Sequence, residues 1–74
     1  MHKIGVFDSG VGGLSVANAI KKALPKAEVI LREDKENLPY GNKTPEQLLA
    51  LVEPILNELA SEGCQIIVVA CNTI

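Results

Sequence analysis

Short apolar runs alternate along this chain with longer stretches in which apolar residues recur every three or four positions. Lys3 to Phe7 (Lys-Ile-Gly-Val-Phe) reads as a short strand, and Asp8-Ser9-Gly10-Val11-Gly12-Gly13 behind it reads as a tight loop, its three glycines opening backbone conformations closed to other residues. From Leu14 the period becomes helical. Leu14, Ala17, Ile20, Ala23 and Leu24 fall on one side, Asn18, Lys21 and Lys22 fall on the other, and Pro25 ends the helix. Glu28 to Arg32 is a second strand, so strand, helix and strand occupy the length of one βαβ unit.

Glu33 to Lys43 is a long polar connection, of a length that often carries function in a compact domain. Thr44-Pro45-Glu46-Gln47 then announces a helix: Thr44 as N-cap, Pro45 at the first helical position and Gln47 completing a capping box. Leu48, Leu51, Val52, Ile55, Leu56 and Leu59 form its apolar face, Pro54 bends it, and it runs to about Ser61 with Gly63 as terminator. The last strand runs from Cys64 or Gln65 to Ala70. Its four successive branched residues, Ile66 to Val69, predict burial on both faces, as in a parallel sheet.

Strand, helix, strand, helix, strand with right-handed crossovers gives an α/β fold: a three-stranded parallel sheet in the order 2-1-3 with two helices, the front part of a doubly wound domain. The chain forms one partial domain over residues 1–74, with no internal repeat or linker. Asp8, Asp34 and Cys71 emerge on one edge of the sheet, the carboxyl-terminal edge where open α/β sheets bind ligands.

Composition narrows the partners. Seven Lys and Arg against nine Asp and Glu give a net charge of -2, without the basic cluster that would neutralise a nucleic-acid backbone. No apolar run approaches the roughly 20 residues of a membrane span, and Met1 leads directly into a strand, so the expected location is the cytoplasm. Cys64 and Cys71 stand near opposite ends of one strand, about 23 Å apart at about 3.3 Å per residue. That distance forbids a disulfide and a shared metal ion.

Cys71 at a strand end is placed for a thiolate stabilised by local N–H groups, although most free cysteines are small buried hydrophobes, as Cys64 is expected to be. Asp8 is placed to take a proton, orient a thiol or bind an ammonium group; the alternative is a carboxylate spent on its own loop amides. Ser9 and its neighbouring amides suit a carboxylate or phosphate. The glycine spacing fits neither the dinucleotide fingerprint nor a P-loop, but an Asp-x-Gly phosphate loop over Asp8 to Gly13 stays open. Asp34, Lys35 and Glu36 read as a solvated loop, Tyr40 as packing, and His2 as a surface residue.

Three blocks acquire meaning together: Ile4-Gly5-Val6-Phe7-Asp8-Ser9-Gly10-Val11-Gly12-Gly13-Leu14-Ser15-Val16, then Asp34 with Leu38-Pro39-Tyr40-Gly41, then Val69-Ala70-Cys71-Asn72-Thr73. In order and spacing they strongly resemble the start of the glutamate racemases, in the aspartate/glutamate racemase superfamily. The resemblance implies a two-domain, cofactor-independent, metal-free enzyme that interconverts L- and D-glutamate for peptidoglycan synthesis and forms homo-oligomers. Two thiols then face opposite sides of the substrate α-carbon, one removing a proton and the other supplying one.

Carried over by motif, Cys71 is the first of these thiols and Asp8 assists it, while Ser9, Pro39, Tyr40, Gly41, Asn72 and Thr73 line the amino-acid site. Lys35 stands where the family has a small hydroxyl residue, and Arg32-Glu33 where its approach is more apolar, so the substrate is glutamate or a related acidic amino acid. The second thiol is expected in sequence beyond these residues, and the 74-residue chain by itself is expected to be inactive. Two other expectations compete: an inactive remnant or self-associating module, since exposed Ile66 to Val69 would seek partners, and a nucleotide phosphate-binding domain.

Overall fold

The computed structural model describes residues 2–10, 12–37 and 40–70. Its elements are strand β1 (Lys3–Asp8), helix α1 (Gly13–Ala23), strand β2 (Glu28–Glu33), a 3-10 turn at Tyr40–Asn42, helix α2 (Pro45–Ser61) and strand β3 (Ile66–Val69). All three strands are parallel in the order β2-β1-β3, as the pattern predicts. β1 lies in the centre because its neighbours pair with both of its edges: Val6 opposes Leu31 on one side and Val68 on the other.

Alternation along β1 assigns the two faces. Gly5 packs under Leu59 of α2, and Phe7 joins Val52, Leu59 and Tyr40 in the buried cluster, so the odd-numbered face belongs to α2. Ile4, Val6 and Asp8 point the other way, where Gly13 at the start of α1 presses on Asp8 and Leu31. The helices therefore cover opposite faces of the sheet. Val6 and Phe7 are fully buried, one on each face.

The α2 signals form as read. The Thr44 side chain accepts from the Gln47 amide at 3.2 Å and the Gln47 side chain accepts from the Thr44 amide at 2.9 Å, closing the capping box. The helix is continuous through Pro54. Gly63, at φ 92°, ends it: its amide donates to Ala60 and the Cys64 amide to Leu59, the pairing of a Schellman motif. Arg32 of β2 reaches across to Glu58 and Glu62 on α2, at 3.0 and 2.7 Å. The Glu58 hydrogen bond, opposed by desolvation and aided by Glu62, raises the guanidinium above its ordinary pKa. Partly exposed pairs like these contribute about 0.2–1 kcal/mol each.

Two expectations need correcting. Leu14 and Leu24 are 58% and 50% exposed, and Ala23 is exposed as well. The stripe of α1 that turns inward is instead Gly13, Val16, Ala17 and Ile20. Close approach of Gly13 to Asp8 phases the helix, and Leu14, one residue on, is turned about 100° away. β3, expected to be buried on both faces, is one of the two edge strands, with Ile66 56% and Val69 41% exposed.

Candidate functional site

β1 delivers Asp8 to the carboxyl-terminal edge of the sheet almost wholly buried, at 1% exposure. The carboxylate is held from the far side of the glycine loop: its Oδ2 accepts from the Gly13 amide at 2.9 Å. That amide is one of the orphan donors that open a helix, and the N-cap residue, Gly12, has no side chain to satisfy it. Asp8 thus caps α1 from five positions upstream and lies at the positive end of its dipole. Gly12 is left-handed at φ 92°, whereas Gly13 is needed for closeness: a Cβ there would stand 2.6 Å from the Asp8 Cβ. Ser9, next along, is buried in the same turn.

The ends of β2 and β3 meet this edge. The Asp34 amide donates to the Asp8 carbonyl at 3.1 Å, and the Ala70 amide donates to the Phe7 carbonyl at 2.8 Å. The two acidic side chains nevertheless serve different faces. Asp8 faces α1, while Asp34 accepts from the Tyr40 hydroxyl at 2.7 Å, and the Tyr40 ring packs on Phe7 beside α2 with centroids 6.4 Å apart. Asn37 Nδ2 donates to both Asp34 oxygens, at 2.9 and 3.0 Å.

Tyr40 is therefore a core residue, 2% exposed, as its type alone suggests. Gly41 beside it is exposed, and among the described residues no atom beyond its chain neighbours stands within 4 Å of where its Cβ would lie. Pro39, Cys71, Asn72 and Thr73 lie outside the described residues. Cys64 is a free thiol packed against Gly5 and the α2 side of the core, away from the Asp8 edge. Among the described residues, no three His, Cys, Asp or Glu side chains are grouped to hold a metal ion, and no helix is long and apolar enough to cross a membrane.

Over 71 residues the chain is 49% identical to the glutamate racemase of Lachnospira eligens, covering 96% of this chain and 27% of that protein. In sequence, the chain is similar to a segment of that glutamate racemase. The glutamate racemase of Bifidobacterium longum is 50% identical over 70 residues, covering 95% of this chain and 26% of that protein, and that of Picosynechococcus is 43% identical over 72 residues, covering 97% and 26%. The chain thus spans about a quarter of the length of these curated relatives. No protein-family model and no solved structure matches it.

Two features of the edge are not legible in the residue types. One is Gly13 as the seat of the Asp8 carboxylate, hidden among three glycines that look alike. The other is the Asp34 network, which lies in a loop read as solvated. A trace of it exists in the loop composition, because Asp34 and Asn37 are residue types that favour turns.

Proposed function

We propose that these residues form part of the amino-terminal domain of a glutamate racemase and supply one side of its proton-transfer site. The racemase relatives of 40–50% identity over nearly the whole chain carry this reading. The buried carboxylate of Asp8 at the sheet edge supports it, because proton transfer at a substrate α-carbon needs an acid or base fixed at the place where ligands bind.

Cys71 is the thiol on this side. As thiolate it takes the α-hydrogen of one enantiomer, leaving the electron pair on the α-carbon; a second thiol on the opposite face returns a proton to that carbon. In the reverse direction the Cys71 thiol is the donor. Asp8 holds or relays the proton at Cys71, and Ser9, Pro39, Gly41, Asn72 and Thr73 bind the carboxylates and ammonium of the amino acid, with Tyr40 shaping the wall. No cofactor enters this scheme. D-Glutamate made in this way would serve peptidoglycan synthesis in the cytoplasm, and the assembled enzyme would be a homo-oligomer. One side of a two-thiol site cannot invert a carbon, so the 74 residues alone should be inactive.

A chimera in which this segment replaces the matching quarter of the Lachnospira eligens enzyme tests the reading. In heavy water it should convert L- to D-glutamate and leave one solvent deuterium on the α-carbon of each inverted product molecule. A chimera that melts cooperatively yet neither inverts nor exchanges glutamate would overturn the assignment.

A further inference from the structure

We infer that Asp34 is a positioning residue for the amino-acid site, acting through Tyr40; the inference rests on the racemase reading. Asp34 leaves β2 at the ligand-binding edge, tied to β1 by its amide on the Asp8 carbonyl. Its carboxylate then gathers the following loop. Tyr40 donates to it at 2.7 Å and Asn37 at 2.9 and 3.0 Å, so both its oxygens are engaged by neighbours that hold it in place.

The consequence falls on the short 3-10 turn Tyr40–Asn42, closed by the Lys43 amide on the Tyr40 carbonyl at 3.1 Å. Its first residue is fixed twice, by the Asp34 hydrogen bond and by its ring against Phe7. Gly41, the second, is exposed, and the space where a side chain would stand is open. A main chain held rigidly on one side and open on the other is suited to receive a polar ligand group against its backbone. Asp34 is engaged with side chains of its own loop, which sets it apart from Asp8, the carboxylate assigned to proton transfer. Its charge strengthens the Tyr40 bond, because hydrogen bonds to ionised acceptors are the strong ones.

The test uses the chimera described above and three variants of it. Asp34→Ala and Tyr40→Phe each remove one end of the same bond, so both should raise KM for glutamate by about tenfold with a smaller fall in kcat. The double variant should be little worse than either single one. Asp34→Asn keeps an oxygen that accepts from Tyr40 and should recover most of the loss, and the pH profile of kcat should not move in any variant. If Asp34→Asn were as damaging as Asp34→Ala, with a shifted pH profile and a harmless Tyr40→Phe, Asp34 would be a proton-transfer group and the inference wrong. Variants that lower the melting temperature but leave KM and kcat untouched would reduce the network to a stabilising contact and equally overturn it. An unsubstituted chimera that folds but does not racemise glutamate removes the racemase reading and this inference with it; an active chimera indifferent to both substitutions removes only the inference.

Discussion

Replacing Gly13 by alanine should cost the racemase chimera about 10²-fold in rate, although alanine is the better helix former. A Cβ at this position would meet the Asp8 Cβ at 2.6 Å and Leu31 Cδ1 at 3.1 Å. Leu31 can turn its terminal methyl aside, but the Asp8 Cβ is fixed to the backbone of the central strand and does not yield cheaply. Helix propensity returns at most about 1 kcal/mol, while overpacking a filled site costs about 1–3 kcal/mol. The balance is a modest loss of stability. The expected loss of rate is larger because the side chain pushed aside is the buried carboxylate proposed for proton transfer. Initial rates of racemisation beside melting curves check this; an alanine variant with unchanged rate would show that Asp8 does not depend on this contact.

Asp8→Ala is the second large effect, and it has two parts that can be separated. Alanine leaves the Gly13 amide without its acceptor, a lost cap worth about 0.5–2 kcal/mol, and it removes the acid-base group, worth about 10²- to 10⁴-fold in rate. Asp8→Asn restores an oxygen toward Gly13 without restoring a proton-transfer group. The asparagine variant should therefore melt near the parent temperature and remain as slow as the alanine variant. Recovery of rate together with stability in Asp8→Asn would reduce Asp8 to a helix cap.

Much of the fold is visible in the residues because its signals are local. Thr44 to Gln47 carry the capping box in four positions, Gly63 is the left-handed residue that ends α2, and the order of strands follows from two crossovers of the same hand. The face of α1 departs from the apolar pattern because Leu14 is larger and more apolar than Gly13, whereas contact at a crowded strand end favours the residue with no side chain. β3 is less buried than its pattern predicts for a related reason: branched residues report what a strand is suited to, and Ile66 and Val69 are only partly covered by the described residues. The position of Asp8 at the sheet edge follows from its place between strand and glycine loop. The contact of Asp34 is a hydrogen bond from a residue six positions on, which no residue type announces.

The central claim is that one particular cysteine of the two in this chain does the chemistry, and it can be put to the measurement of glutamate racemisation by two single variants of the chimera. Cys71→Ala should lose about 10²- to 10⁴-fold or more in rate, because nothing else on that side of the α-carbon would exchange its proton. Cys64→Ala, in a thiol packed between Gly5 and the α2 core, should retain racemisation at a rate close to that of the parent. Full activity in Cys71→Ala, or its abolition in a folded Cys64→Ala, would contradict the account.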